Sequence, residues 1–387
     1  MTEKKNIPFG KPFIAGKELY YIAQAVMGGH LSGDGPFSAR CEQWLEQHLD
    51  APKALLTPSG TDALELAALL LDIGPGDEVI MPSFTFVSTA TAFVLRGAVP
   101  VFVDIREDTL NLDERLVEAA ITPRTRAIVA VHYGGCGCEM ETLRDIADRH
   151  GLALIEDAAH ALGASYRGRP LGSFGDLACF SFHETKNVIS GEGGALVVNR
   201  SELVERAAVI RQKGTNRNQF LAGQTDKYTW VDIGSSFVAS EIVAAFLWGQ
   251  LERVEEITAR RMVLWQQYYR SLEAFADAGN LSLPSPPPHC QLNGHIFYAL
   301  ARSGEERDWM LRYLNDRGVN AVFHYVPLHS SPAGLKYGRA AGSMEVTNSV
   351  GARLLRFPLY FEMTEDELGA VLAETAGALR LGTAFPG

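Results

Sequence analysis

The sequence predicts an α/β fold: a mainly parallel sheet covered by helices on both faces, with a smaller α+β unit at the C-terminal end. Three observations predict it. Between residues 54 and 198, short apolar runs without polar alternation recur between stretches of helical periodicity, the pattern of strands buried on both faces. After Ser236 the texture changes to a long Arg- and Glu-rich helical stretch, suited to bridging two units. The 387 residues also exceed what one core usually serves, so a large domain and a small one are expected.

Each element follows from a local pattern. The run 54–56 is a short strand, and Ser59, Gly60 and Thr61 open a helix over 61–71 with small and apolar residues at helical spacing. A strand at 77–81 ends at Pro82, and the runs 99–104 and 127–131 flank a helical stretch at 110–120. Residues 141–150 read as a helix, and 152–155 as a strand running into Glu156 and Asp157. Strands at 177–182 and 195–198 complete the set. A long helix, open to a break, covers 241–272, and the Pro-rich 284–288 is a boundary loop. Beyond it, strands at 295–301 and 321–325 alternate with helices at 305–316 and 364–379. The boundary is expected near residue 255, dividing 1–255, with its N-terminal arm, from 256–387.

Composition narrows the function classes. With 47% hydrophobic and 21% charged residues, the chain is globular rather than disordered. Lys and Arg total 35 against 46 Asp and Glu, a net charge of −11. That balance argues against nucleic acid as partner but leaves room for one phosphorylated ligand. No apolar run approaches the roughly 20 residues of a membrane helix, and the polar 1–7 lacks the apolar stretch of a signal peptide. Five irregularly spaced cysteines do not form a disulfide framework. A cytoplasmic protein is expected. No G-x-G-x-x-G follows a strand, which disfavours a nicotinamide dehydrogenase.

Four segments carry chemistry. Lys186 follows an apolar strand and precedes Gly191-Glu-Gly-Gly194, a loop that permits close backbone approach. A lone lysine is ordinarily a solvated charge, but near apolar walls its amine becomes neutral and nucleophilic, as a Schiff-base lysine requires. Asp157 ends a strand 29 residues earlier. It is either the N-cap of 158–162 or the carboxylate partner of a pyridinium nitrogen, which keeps pyridoxal phosphate (PLP) an electron sink. Ser59-Gly60-Thr61-Asp62 opens a helix, an ordinary cap or a phosphate site. Phe86 belongs to the core or stacks on a pyridine ring.

In this order the segments resemble the DegT/StrS-type sugar aminotransferases, within the fold type I (aspartate-aminotransferase-like) PLP-dependent transferases. The carriers are Ser59-Gly-Thr61, Pro82-Ser-Phe-Thr-Phe86, Glu156-Asp-Ala-Ala-His160, Phe180-Ser-Phe182 through Lys186, and Gly191-Glu-Gly-Gly194. His183-Glu-Thr-Lys-Asn187 and Lys213-Gly-Thr-Asn-Arg217, continuing through Asp226-Lys-Tyr-Thr-Trp230 to Gly234-Ser-Ser-Phe237, resemble in particular members making dTDP-4-amino-4,6-dideoxygalactose.

The resemblance implies a role for each residue. Lys186 is the Schiff-base lysine and Asp157 the pyridinium partner, with His160 near the cofactor's phenolic oxygen and Phe86 on the ring face. Gly60, Thr61, the Asp62 amide and Ser181 lie at the phosphate, and Ser236 reaches it from the other subunit of a homodimer with shared sites. Many relatives carry Asn-Tyr-Arg where this chain has Ser236-Phe237-Val238, so an evident carboxylate clamp is missing. Lys213, Arg217 and Lys227 are candidate cations for it, or simply solvated charges, and His324, Tyr325 and His329 are packing residues or part of a segment that relatives place near the sugar. Gly33-Asp34-Gly35 is a plain turn or a turn near the nucleotide. Cys136, Cys138 and His132 mimic a metal cluster, but Cys-x-Cys is not a zinc spacing, and no metal is expected.

The implied reaction moves the amino group of L-glutamate to the 4-keto group of dTDP-4-keto-6-deoxy-D-glucose, giving dTDP-4-amino-4,6-dideoxy-D-galactose and 2-oxoglutarate for surface-polysaccharide assembly. The alternatives are a gluco epimer or 3-amino product and a non-enzymatic PLP-binding regulator. A sugar dehydratase of this family would carry His where Lys186 stands.

Overall fold

The computed structural model describes residues 6–382; residues 1–5, most of the polar stretch weighed above, and 383–387 lie outside it. Two helices that sequence reading did not assign come first, α1 (Glu18–Met27) and α2 (Pro36–Leu49). Pro36 suits the first helical position, and Asp50 ends the helix in the left-handed region at φ 52°. The opening amides of α2 donate to a distant carboxylate: Phe37 N and Ser38 N lie 2.8 and 2.9 Å from Glu241. That partner is what the local sequence could not reveal.

Strands and helices then alternate: β1 (Lys53–Thr57), α3 (Gly60–Leu70), β2 (Glu78–Pro82), α4 (Val87–Val94), β3 (Val99–Val103), α5 (Glu114–Ala120), β4 (Thr125–Val131), α6 (Met140–His150) and β5 (Ala153–Asp157). The two-residue strands β6 (Ser165–Tyr166) and β7 (Arg169–Pro170) precede β8 (Leu177–Ser181) and β9 (Gly194–Val198). After α7 (Val204–Arg211) and the short α8 (Arg217–Leu221) come α9 (Glu241–Leu251) and α10 (Val254–Asp277). The chain finishes through β10 (Cys290–Gln291), β11 (Tyr298–Leu300), α11 (Gly304–Asp316), α12 (Pro332–Tyr337), β12 (Arg339–Ala340), α13 (Glu345–Arg353), β13 (Leu354–Arg356) and α14 (Glu365–Gly382).

The main sheet has the order β1-β9-β8-β5-β4-β2-β3-β12. From β8 to β12 every pairing is parallel, and β9 alone runs antiparallel, to both β8 and β1. The cause is the connection: β8 reaches β9 through a loop instead of a helical crossover, and a loop returns a strand antiparallel. Two apolar clusters lie on the sheet, one built on Leu45, Ile128 and Leu154 and the other on Leu66, Val129 and Ile155. Neighbouring strand residues thus face opposite layers, as a doubly covered sheet requires. A third cluster unites Tyr268, Phe297 and Phe357 near the C-terminal end.

Several expectations need correction. The stretch 110–120 is helical only from Glu114, because Leu110 sits at φ 60° and Ile105 bridges Leu112. Asp113 caps the shorter helix by accepting from Arg115 N at 3.0 Å. The strand expected at 321–325 is reduced to one bridge, Val322 with Arg356, since the segment leaves the ladder to line a cavity. The helix expected at 241–272 breaks at Glu252–Arg253, where Glu252 accepts from Tyr21 Oη at 2.9 Å. The chain also does not divide cleanly by sequence: β12 returns to the main sheet beside β3, and Ile7 bridges Val319.

Candidate active site

Parallel strands end on one edge of a sheet, and ligands of open α/β folds bind outside their carboxyl ends. Here β5 ends at Asp157 and β8 at Ser181, and α3 begins after β1 on the same edge. A cavity of about 870 Å³ opens there, lined by Ser59, Gly60, Thr61, Phe86, Asp157, His160, Ser181, Lys186 and Tyr325 among others. Seven candidate residues thus share one space: Gly60, Thr61, Phe86, Asp157, His160, Ser181 and Lys186, with Tyr325 from the C-terminal third.

Lys186 has lost much of its solvent, and burial lowers its amine to about 8 from the usual 10.5, against the opposing pull of Asp157. Asp157 is held on both oxygens. Thr89 Oγ1 donates to Oδ2 at 2.7 Å and Ala159 N to Oδ1 at 3.2 Å. Thr85 Oγ1 lies 2.8 Å from Thr89 Oγ1, extending the chain of hydroxyls. Residues 158–162 form turns, not the helix that an N-cap reading required, so the carboxylate is oriented by α4 and its own turn.

At the N-terminus of α3, Ser59 Oγ accepts from Asp62 N at 3.1 Å, and Thr61 Oγ1 lies 2.8 Å from Ser88 Oγ. The Asp62 amide is thereby engaged in the cap, while Gly60 and Thr61 N–H groups have no intrachain acceptor among the described residues. A Cβ at Gly60 would lie 2.8 Å from Ser181 Cβ, so the glycine is what lets the helix end approach β8. Free amides at a helix N-terminus beside two hydroxyls suit a phosphate. A desolvated amine and an oriented carboxylate in the same cavity suit the aldehyde and ring nitrogen of PLP. The residues present fit the group.

Other candidates lie apart. Ser236, Lys213 and Arg217 are exposed and do not line this cavity, and neither does the exposed Lys227. His329 is occupied elsewhere, its Nδ1 2.7 Å from Ser83 Oγ. Asp34, in the predicted turn, has φ 63° and is bound by Arg211 Nη1 at 2.5 Å. His132 Nε2 lies 2.9 Å from Glu156, and Cys138 Sγ donates to Val131 O at 3.2 Å. Among the described residues no group of three His, Cys, Asp or Glu is placed to hold a metal, and no helix is long and apolar enough to cross a membrane.

Sequence reasoning missed Thr89, His295, Arg261 and Arg356, all of which line the cavity together with His324 of the predicted sugar segment. Arg356 forms no ion pair among the described residues, and its buried Nε has no hydrogen-bond partner. Its guanidinium lies 4.6 Å from the Phe9 ring centroid, against the N-terminal arm. The available signal was one cation inside the apolar run 354–360.

Comparison with known proteins shows the family. The pattern of the DegT/DnrJ/EryC1/StrS aminotransferase family matches residues 12–375. The aminotransferase TlmJ from Streptoalloteichus hindustanus is 30% identical over 98% of this chain and 100% of its own, with a TM-score of 0.89. DesV from S. venezuelae, solved with a ketimine intermediate, is 34% identical over 99% of this chain and 100% of its own, with a TM-score of 0.88. A Streptococcus pneumoniae structure in its PLP form is 26% identical over 97% of this chain and 99% of its own, with a TM-score of 0.89.

Proposed function

The chain belongs to the DegT/DnrJ/EryC1/StrS aminotransferase family and is a PLP-dependent aminotransferase of fold type I; from that premise we propose its substrates. The amino group of L-glutamate passes to the 4-keto group of dTDP-4-keto-6-deoxy-D-glucose. The products are 2-oxoglutarate and dTDP-4-amino-4,6-dideoxy-D-galactose. The observation that carries the reading is the desolvated Lys186 amine sharing a cavity with the oriented Asp157 carboxylate and a free helix N-terminus. The blocks at 183–187, 213–217 and 226–237 support the choice of sugar.

Bound PLP supplies an aldehyde that condenses with amines and a protonated ring that takes up the charge left when carbon loses a proton. This chain's residues do the rest. Asp157, aligned by Thr89, keeps the proton on the ring nitrogen. Lys186, once freed, would take the α-proton of the amino acid and deliver it to the former aldehyde carbon, on the far side of the amino nitrogen. In the second half it returns a proton to the sugar carbon. Gly60, Thr61 and Ser181 would hold the phosphate, Phe86 would cover the ring face, and His160 would offer an N–H to the phenolic oxygen.

Arg356 answers the question left by Ser236-Phe237-Val238. A buried guanidinium with no carboxylate of its own takes that of the donor. Tyr325, in the same wall, meets the sugar. Ser236 serves the partner's cavity, a reading supported by its exposure and its distance from the cavity of its own chain.

The test is incubation with PLP, glutamate and a panel of nucleotide-linked keto sugars. Mass spectrometry is expected to find amination and NMR an axial amine at C4. Transfer only to C3, or an equatorial product, overturns the choice of sugar.

A further inference from the structure

Four imidazoles line the cavity with Lys186: His160, His183, His295 and His324. Their hydrogen-bond partners decide which ring nitrogen carries the proton. His160 Nδ1 accepts from Gly134 N at 3.3 Å, which leaves the proton on Nε2. His324 Nδ1 lies 2.9 Å from Tyr133 Oη. That phenol is buried, which raises its pKa and keeps it protonated. Its O–H has no other acceptor among the described residues, so it donates, and His324 also carries its proton on Nε2.

His295 is the reverse. Its Nδ1 lies 2.9 Å from Asn187 Oδ1. Asn187 is oriented by its own amide nitrogen, which donates to Asn293 O at 2.9 Å; a flip would set two oxygens against each other. His295 Nδ1 must then donate, leaving a lone pair on Nε2, which has no partner among the described residues. Burial and the charges facing the ring, Lys186, Arg261 and Arg356, with His324 beside them, keep it neutral.

The position is firmly built. Asn293 Oδ1 accepts from His295 N at 3.1 Å, and Arg261 donates to His295 O at 2.9 Å. Asn187 directly follows Lys186, so one hydrogen bond ties the lysine's backbone to this ring. In the proposed reaction the Lys186 amine is freed and must hold a proton inside the cavity. A buried ammonium needs acceptors; His183 Nδ1 accepts from Thr185 N at 3.2 Å, which leaves its proton on Nε2, so of the four imidazoles His295 alone offers one.

We propose that His295 is a positioning residue for the freed lysine, its Nε2 lone pair accepting an N–H of the Lys186 ammonium. This rests on the proposed transamination only for its purpose; the contact itself is testable without substrate.

The test uses cofactor-free protein, with the pH dependence of Lys186 labelling by dinitrofluorobenzene read by peptide mass spectrometry. His295→Gln places an amide oxygen where Nε2 stood, whereas His295→Asn keeps a donor for Asn187 and loses the acceptor. The labelling midpoint is expected to stay within about 0.3 pH unit in the Gln variant and to fall by about one unit in the Asn variant. Nitrogen-15 NMR of wild-type histidines is expected to show His295 protonated on Nδ1. Equal midpoints in both variants, or a proton on Nε2, overturn the inference. Failure here leaves transfer from glutamate standing, and absence of that transfer leaves these midpoints untouched.

Discussion

At the scale of single residues, the site reduces to one amine and one carboxylate, each held by groups of different origin. Lys186→Ala is expected to abolish turnover while leaving the far-ultraviolet circular dichroism unchanged, and full activity in that variant would remove the assignment. Thr89→Val deletes the hydroxyl that donates to Asp157 Oδ2 at 2.7 Å. It should lower kcat by roughly tenfold through misalignment alone, measured under saturating substrates; Asp157→Asn should cost more, because it removes the charge itself. Arg356→Gln should raise the KM for glutamate by about a hundredfold, as expected for a lost charge-assisted contact, with the sugar's KM little changed. A matching rise for both substrates would place Arg356 outside the donor's subsite. Lys186 and Asp157 were legible because each closes an apolar run with a distinctive neighbour pattern. Thr89, His295 and Arg356 were not, since each comes from a separate element and meets the others only in space.

At the scale of elements, charge stitches the sheet where strands are short. Glu78 opens β2 and is buried at 1% exposure. It receives Arg339 Nη2 of β12 at 2.8 Å, Arg124 Nη2 at 2.6 Å and Thr122 Oγ1 at 2.8 Å. These contacts, Arg339 foremost, hold its carboxyl at about 2 against the usual 4.5. The folded value is the depressed one, so the stabilisation is full above about pH 4.5 and disappears as pH falls through 2. Glu78→Gln should therefore destabilise by roughly 2 kcal/mol at pH 7, with the gap from wild type narrowing at pH 3 in urea unfolding. A gap independent of pH would contradict the pairing. The strands of the main sheet were legible as apolar runs, but β12, two residues long, lacks any such run and is recruited by Glu78 and β3. The same holds for α2, whose N-terminus depends on Glu241, far away in sequence.

At the scale of the whole molecule, we propose a boundary between the two units at Glu252–Arg253, where α9 gives way to α10, and a dimer in which each chain completes its partner's site. The segment leading to Ser236 carries exposed apolar groups, with Trp230 at 79% and Val231 at 54%, the kind of surface that self-association covers. Mixing chains bearing Lys186→Ala with chains bearing Ser236→Asp should restore about a quarter of wild-type activity, because half the random dimers hold one intact site of two. No recovery would place both residues in one subunit's site. The mainly parallel α/β sheet was legible from texture alone, whereas the return of the C-terminal part to that sheet was not.

The most direct test of the central claim is borohydride reduction of the PLP-loaded protein followed by peptide mapping. The pyridoxyl phosphate label is predicted on the peptide containing Lys186, with no other lysine labelled. A label on a different lysine, or none at all on a protein that retains its cofactor, would contradict the account.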